Sequence, residues 1–405
     1  MATAAPSTTA TTSSSAAVPL QGSTPAFPAL GVVAESELGF ALHPVDNALF
    51  VTVEDDLTRV LFAVAEPEGL REVPELAHGL NLGKNVQTID RLIGTWPGTL
   101  WLQTLDVDAD RVPADPDWTT RFFRYDPGGW RTVGNVKTNT LYRAVWLAGP
   151  RCLVGIQGHN NVAGAARRPA DCPDRRIPVV PLDDPRNAYL MRLAAASRSG
   201  DAFVLEQSTS ETPRFRVEIL GNQDAPKRRL APLPLPVEVE ADRLEFSVGP
   251  KSLVVHSATE AYLGGRLRPK GSPVNPPKDA IDSPKETSVL FRFDGIDWSV
   301  LETPPITGVP LFTVAKDGTV IIAARGAENE EDFALWFRLP TGTWERRNTF
   351  RSQSGGRCGP YEIWARSPND VWVACGTPRG PAHRTRVVHT GEMKLVWRPS
   401  KEGAH

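Results

Sequence analysis

A short strand, a tight turn and a second short strand recur seven times along this 405-residue chain. The last copy, GPYEIWARSPNDVWVACG over Gly359–Gly376, shows the unit most plainly. Tyr361–Trp364 and Asp370–Ala374 are rich in β-branched and aromatic residues, and Ser367–Asn369 between them is a turn signal. The second strands start at Leu49, Leu100, Leu153, Phe203, Leu253, Val320 and Val371, at spacings of 51, 53, 50, 50, 67 and 51 residues. A turn signal such as Pro97–Gly98, Ser199–Gly200, Gly249–Pro250 or Asp317–Gly318 precedes each. Before each turn lies another apolar run, including Arg91–Thr95, Tyr142–Leu147, Tyr189–Ala195 and Arg243–Val248. These runs are too short and too closely bounded by Gly and Pro to be helices.

A second signature falls later in three units. Phe123-Arg124-Tyr125-Asp126 leads to Trp130, Phe291-Arg292-Phe293-Asp294 to Trp298, and Phe337-Arg338-Leu339-Pro340 to Trp344. Arg and Trp stand six apart across a turn, which reads as a third strand and a fourth. Four strands per unit at a period near 50 residues is the arithmetic of a propeller blade. The expected architecture is all-β, a seven-bladed β-propeller of four-stranded blades over residues 35–400. The Trp residues are expected to pack between blades. Residues 1–34 are read as a disordered Ala/Thr/Ser/Pro-rich leader, because they offer too little apolar surface to offset ordering entropy. Residues 401–405 are a tail. Both Lys394–Arg398 and Leu30–Ala34 are candidates for the strand that closes the ring.

The Tyr-Asp…Trp turn at the end of a unit of about 50 residues resembles kelch repeats. Ser367–Gly376, SPNDVWVACG, resembles the strand-turn-strand of many bacterial kelch-like propeller repeats. The resemblance covers nearly the whole chain and implies a propeller.

In such a blade the first-to-second and third-to-fourth turns share one face. Here the first set is tight. The second-to-third connections, on the other face, are long: Asp106–Asp117, Gly158–Arg176, Thr259–Glu286, Ala327–Asp332 and Thr377–Arg384. Elaboration on one face is the pattern of a binding surface. The candidate ligand residues there are His159, Arg167, Arg168 and Arg175, then Tyr262, Arg266 and Arg268, then His383 and Arg384. Arg suits carboxylates and sulfates, because its planar fork makes two hydrogen bonds at once. Solvated charge on long loops is the plainer reading of the same residues.

Asp106, Asp108, Asp110 and Asp117 match a calcium loop at positions 1, 3, 5 and 12. Arg111 stands where that loop needs Gly, which favours a solvated acidic loop instead. No other cofactor is expected. The four cysteines fall as two local pairs, Cys152 with Cys172 and Cys358 with Cys375. Two disulfides in an oxidising compartment are expected, with buried thiols as the alternative. The seven histidines are scattered, and most are read as structural. The 45 basic and 47 acidic residues exert no global pull on nucleic acid, and no apolar run is long enough to span a membrane. The functional expectation is a non-enzymatic binding or scaffold protein outside the cytoplasm, engaging a protein or glycan on the long-loop face. A lyase or hydrolase acting on an anionic sugar is the alternative.

Overall fold

The computed structural model describes residues 30–399 except 56–58, 79, 81, 83–85, 108–117, 138–139, 150–151, 160–164, 171–188, 199, 209–213, 221–228, 241–242, 250, 272–285, 307–308, 326–331, 353–357, 378–383, 392 and 394–395. The chain is an all-β propeller, and its described helices are two single turns. Strand β1 (Leu30–Ser36) comes first but belongs to the last sheet. The first unit is β2 (Phe40–Pro44), β3 (Leu49–Asp55), β4 (Arg59–Glu66) and β5 (Gly69–Glu72), followed by helix α1 (Pro74–Ala77). The second is β6 (Val86–Gly94), β7 (Leu100–Val107), β8 (Trp118–Asp126) and β9 (Gly129–Lys137). The third has β10 (Thr140–Gly149), β11 (Cys152–His159) and β12 (Ala165–Ala170). The fourth is β13 (Tyr189–Ala196), β14 (Ala202–Ser208), β15 (Phe215–Leu220) and β16 (Arg229–Pro232), then helix α2 (Val237–Glu240).

The fifth unit is β17 (Leu244–Ser247), β18 (Leu253–Ser257), β19 (Glu260–Pro269), β20 (Thr287–Phe293) and β21 (Trp298–Leu301). The sixth is β22 (Leu311–Val314), β23 (Val320–Arg325), β24 (Phe333–Arg338) and β25 (Trp344–Phe350). The last is β26 (Gly359–Ser367), β27 (Asp370–Gly376) and β28 (Thr385–Thr390), completed by β1.

Six sheets carry four or more strands, so the structure shows six complete four-stranded blades where the repeat count leads one to expect seven. The third unit contributes a three-stranded sheet among the described residues. The innermost strands follow one another in a closed ring: β2 lies beside β6, β6 beside β10, β10 beside β13, β13 beside β18, β18 beside β22, β22 beside β26, and β26 beside β2. Each junction between neighbouring sheets has its own apolar layer. Phe50 and Phe62 meet Leu100, Leu102 and Phe123 between the first and second units. Phe203 and Leu205 meet Leu263, Phe291 and Trp298 between the fourth and fifth. Burying a Leu or Phe contributes roughly 1.5–3 kcal/mol, so these layers hold neighbouring sheets together. The repeated Trp residues serve the same junctions: Trp130 Nε1 donates to Leu76 O at 2.7 Å and Trp344 Nε1 to Glu302 O at 2.6 Å.

Three expectations are corrected. Residues 30–34, assigned to the leader, are part of a strand: β1 pairs antiparallel with β28, from Leu30 opposite Thr390 to Ser36 opposite Thr385. The ring therefore closes through Leu30–Ser36, and among the described residues of Lys394–Arg398 it is Trp397 that bridges to Ala34. Residues 1–29 lie outside the described residues. In the fifth unit Leu253 is not on the second strand. Strands β17 and β18 both pair with β19, Leu244–Ser247 against Arg266–Pro269 and Leu253–Ser257 against Glu260–Leu263. They are one innermost strand interrupted at Val248–Ser252, and the Gly249–Pro250 signal marks that interruption, not the hairpin. Finally, Ala165–Ala170 inside the expected Gly158–Arg176 loop is strand β12, paired with β11.

The disulfide expectation holds for Cys358–Cys375, which are bonded with Cα atoms 5.2 Å apart and are both fully buried. Cys152 lies on β11, and Cys172 is outside the described residues. The bond staples the loop-side end of the β26–β27 hairpin, where Gly359 faces Gly376. It closes a loop with a sequence separation of 17, worth about 3 kcal/mol in the chain-entropy model. A Cys358→Ala, Cys375→Ala variant is expected to lose about that much unfolding free energy in urea titration of the oxidised protein, with the same far-ultraviolet circular dichroism.

Candidate functional site in the central channel

The innermost strands line the axis of the ring, and in four of them the pairing slips at a comparable place, three of these slipping at a second place too. Strand β6 slips register between Ile89 and Arg91, which makes Asp90 an extra residue. Strand β10 slips between Tyr142 and Ala144, at Arg143. Strand β13 slips between Met191 and Leu193, at Arg192, and β26 between Pro360 and Glu362, at Tyr361. These four residues stand nine or ten positions ahead of the start of their second strand. In the fifth unit the Val248–Ser252 interruption carries Lys251. A β-bulge re-aims a side chain that the regular pleat would direct elsewhere, and bulges concentrate beside functional sites.

The side chains these breaks present are charged or polar. Asp90 accepts from Gln103 Nε2 at 2.8 Å, and Arg91 Nε approaches it at 3.7 Å. Arg192 is exposed, and its Nε donates to Gln207 Oε1 at 2.6 Å. Lys251 Nζ is ion-paired with Glu362 Oε1. That pair joins the fifth unit to the seventh, past the sixth. Glu362 Oε2 in turn accepts the Leu42 backbone N–H of β2 at 2.6 Å. Its neighbour Tyr361 works on the same edge: the Tyr361 hydroxyl accepts from Phe40 N at 3.1 Å and donates to Phe40 O at 2.9 Å. Burial pushes the Tyr361 hydroxyl well above the ordinary tyrosine range. Two side chains of β26 thus occupy backbone positions on β2 that a neighbouring strand would otherwise fill.

His43, also on β2, is buried, and its Nε2 lies 2.9 Å from Thr52 Oγ1. Burial, then the nearby Lys251 charge, lowers its pKa to about 3, so it stands neutral in the channel wall. His389 is structural too. Its Nε2 lies 3.0 Å from Asp370 Oδ1, to which Trp372 Nε1 donates at 2.7 Å, and its ring stacks on Trp372. Burial would raise the Asp370 carboxyl, but these hydrogen bonds outweigh it and hold the group below its ordinary value.

On the face of tight turns the channel is bonded across the ring. Arg198, after β13, donates to Asp46 O at 3.0 Å and Val45 O at 3.2 Å, in the turn after β2. These belong to the fourth and first units, which are not neighbours. The same first-unit turn is tied to the second: Asp46 N donates to Gly94 O at 2.8 Å, and Trp96 N to Asn47 Oδ1 at 3.0 Å. Gly94 has φ +126°, and a Cβ there would fall 2.2 Å from Thr99 O, so only glycine fits.

The expected loop-face residues are placed differently from the expectation. Tyr262, Arg266 and Arg268 lie on β19, and Tyr262 and Arg268 are buried. Each is engaged within the unit: Tyr262 donates to Glu260, Arg266 pairs with Glu286, and Arg268 with Glu245. Burial, then the Glu260 hydrogen bond, pushes the Tyr262 pKa up to about 12. Arg384 pairs with Glu35. These four therefore form no free basic patch, because carboxylates on adjoining strands neutralise the cations. His159 is on β11, and Arg167 and Arg168 on β12, opposite Ile156 and Gly155. Arg175 and His383 lie outside the described residues. Of the calcium-loop residues, Asp106 is on β7, opposite Val86, and Asp108, Asp110 and Asp117 are outside the described residues. The channel residues were legible only as charges at a fixed offset in otherwise apolar first strands, a signal the turn and loop pattern overshadowed.

No protein-family model matches the chain, and no curated protein sequence does either, so the kelch-like resemblance gains no family to stand on. Solved structures do resemble it in fold. An ulvan lyase of polysaccharide lyase family PL25, bound to -[GlcA(1-4)Rha3S]-, is 10% identical with TM-score 0.50, over 91% of this chain and 95% of that one. YCF48 bound to a D1 peptide is 12% identical with TM-score 0.46, over 92% and 100%. A Trypanosoma rangeli sialidase mutant displaying trans-sialidase activity is 10% identical with TM-score 0.41, over 90% and 60%. At these identities the likeness is one of fold alone. Among the described residues no helix is long and apolar enough to cross a membrane.

The His43 environment fixes a pH dependence. The folded protein refuses a proton that the unfolded chain accepts below the ordinary histidine value of 6.5. Stability is therefore complete above that value and falls as pH drops toward about 3, by roughly 1.4 kcal/mol for each pH unit crossed. A His43→Gln variant is expected to flatten that slope in urea titrations at pH 4 to 7. An unchanged slope would show that His43 is not its source.

Proposed function

We propose that the protein is a non-enzymatic binding or scaffold propeller, acting outside the cytoplasm, that engages a protein or glycan on its long-loop face. Its full ring has seven blades, the three-stranded third sheet being one of them, in a kelch-like pattern. The observation that carries the reading is the bonding of the tight-turn face across the ring by Arg198, Val45 and Asp46. A ligand reaching the channel then enters from the other face, where the second-to-third connections emerge. His159, Arg167, Arg168, Arg175 and His383 form the rim in this reading.

Binding is favoured over catalysis by how the channel groups are used. General acid–base work needs a group free to exchange its proton with a substrate. The Tyr361 hydroxyl is engaged twice by Phe40, Glu362 by Leu42 and Lys251, and His43 is buried and neutral. The buried Cys358–Cys375 bond supports an oxidising compartment. Hydrogen-exchange mapping with a bound ligand checks the entry face. Protection is expected at the β7–β8, β11–β12 and β19–β20 connections, and an Arg198→Ala variant should bind unchanged. Protection confined to the Val45–Ala48 and Ser197–Asp201 turns would refute the reading.

A further inference from the structure

We infer that the central channel is itself a recognition site for a carboxylate-bearing saccharide, with Arg192 holding the carboxylate and Asp90 accepting sugar hydroxyls. The inference rests on the loop face being the ligand's entrance and deepens that reading by naming the ligand's chemistry.

Two units of the ring repeat one device. In the second and fourth, a bulge at mid-strand turns out a charged residue, and a glutamine of the adjoining second strand holds it: Asp90 by Gln103, Arg192 by Gln207. An amide orients a charge without cancelling it; Asp90 is also approached by Arg91 Nε at 3.7 Å, while Arg192 meets the amide of Gln207. Elsewhere in the ring arginines are paired with carboxylates. Arg216 pairs with the buried Glu206 at 2.7 Å, Arg124 with Asp126 at 2.9 Å, and Arg386 with Glu35 at 2.9 Å. Arg192 stands one register step from Glu206 yet meets the neutral Gln207, while Glu206 accepts from Arg216. Its guanidinium is left in the channel with the charge available and the orientation set. That is the preorganisation a bidentate carboxylate contact requires.

The signs are also segregated. Lys251 and Glu362 neutralise each other across the ring, which leaves the bulge charges of Arg192 in the fourth unit and Asp90 in the second, two units apart. A ligand spanning this channel offers an anion at one end and hydrogen-bond donors at the other. A uronic acid has both, a carboxylate on the ring and hydroxyls around it. Tyr361, at the bulge of β26, is a partly exposed residue, and its ring is the aromatic surface offered to the apolar face of a sugar. Described inner-strand residues otherwise offer little exposed apolar surface, which disfavours a peptide ligand with apolar anchors.

The test is calorimetric titration at low salt with trigalacturonate and triglucuronate, a neutral galactose trimer, and an Asp-rich pentapeptide. The proteins are wild type, Arg192→Gln, Asp90→Asn, and the rim variant Arg167→Ala, Arg168→Ala. A uronate trimer is expected to bind wild type at least tenfold more tightly than the neutral trimer. Arg192→Gln should lose tenfold or more with an unchanged melting curve, since the residue is exposed, and Asp90→Asn should lose severalfold. Failure of both uronates to bind wild type, or preference for the acidic peptide, overturns the inference. Uronate binding that survives Arg192→Gln but is lost in the rim variant also overturns it, and leaves the loop-face reading standing. Binding with hydrogen-exchange protection only at the tight turns overturns both.

Discussion

Everything in this fold depends on one pairing between residues some 350 positions apart. A four-stranded sheet has two apolar faces, and only neighbours on both sides can cover them. The last sheet of the chain has three strands of its own and lacks only its outer edge, which β1 supplies by pairing with β28. Val33 and Ala34 of β1 are fully buried, and Glu35 accepts from the buried Arg386. The C-terminal segment then covers the other edge of β1: Trp397 N donates to Val33 O at 2.8 Å, and its ring packs on Phe40 of the first blade. The first and last described segments are thus built into one blade, and the ring cannot open there without breaking a strand pairing and an apolar layer together.

The same blade holds the other closure devices. Cys358–Cys375 staples the start of its inner hairpin, and two and three residues beyond Cys358's neighbour Gly359, Tyr361 and Glu362 reach onto the edge of β2. The bulge at Tyr361 is what brings both side chains to that edge. Seam and channel are therefore one construction: Glu362 ties β2 to β26 and also anchors Lys251 from the fifth unit. A conservative change at Glu362 acts on ring closure and on the electrostatics of the axis at once.

How far this was legible depends on the range of the interactions. Hairpins are local, and turns such as Pro97–Gly98 and Asp317–Gly318 mark them in the sequence because only a few residues tolerate those dihedrals. The Arg…Trp spacing marked the third and fourth strands for the same reason. Strand β1 had no such mark, since LGVVAES carries no trace of a partner at Thr385–Thr390. Gly249–Pro250 misled because a chain break inside a strand uses the same residues as a hairpin. Strand β12 was hidden by Arg167 and Arg168, whose charges read as a loop although β11 pairs with their backbone. Arg266 and Arg268 looked solvent-facing because Glu286 and Glu245, which neutralise them, are about 20 residues away in sequence. In the channel, local rules are broken on purpose: a charge sits amid an apolar strand and the register slips around it. Such breaches of local consistency are where function is expected to show.

The charge pattern also decides how recognition would work. With a formal net charge of −2, the protein exerts no strong long-range field, and exposed charges beyond about 8–10 Å are screened at physiological salt. Attraction from a distance therefore contributes little to ligand choice. What remains is short-range geometry at the axis, where amide-held side chains stand on strands packed into the rigid ring. Loops can supply area around the rim, but a side chain on a loop must be ordered when the ligand binds, at a cost of roughly 0.5–1.5 kcal/mol each. Side chains fixed on bulged inner strands have already met that cost in folding. On the proposed reading, selectivity belongs to the channel and the extent of contact to the loops, the division of labour that a closed ring with one bonded face would favour.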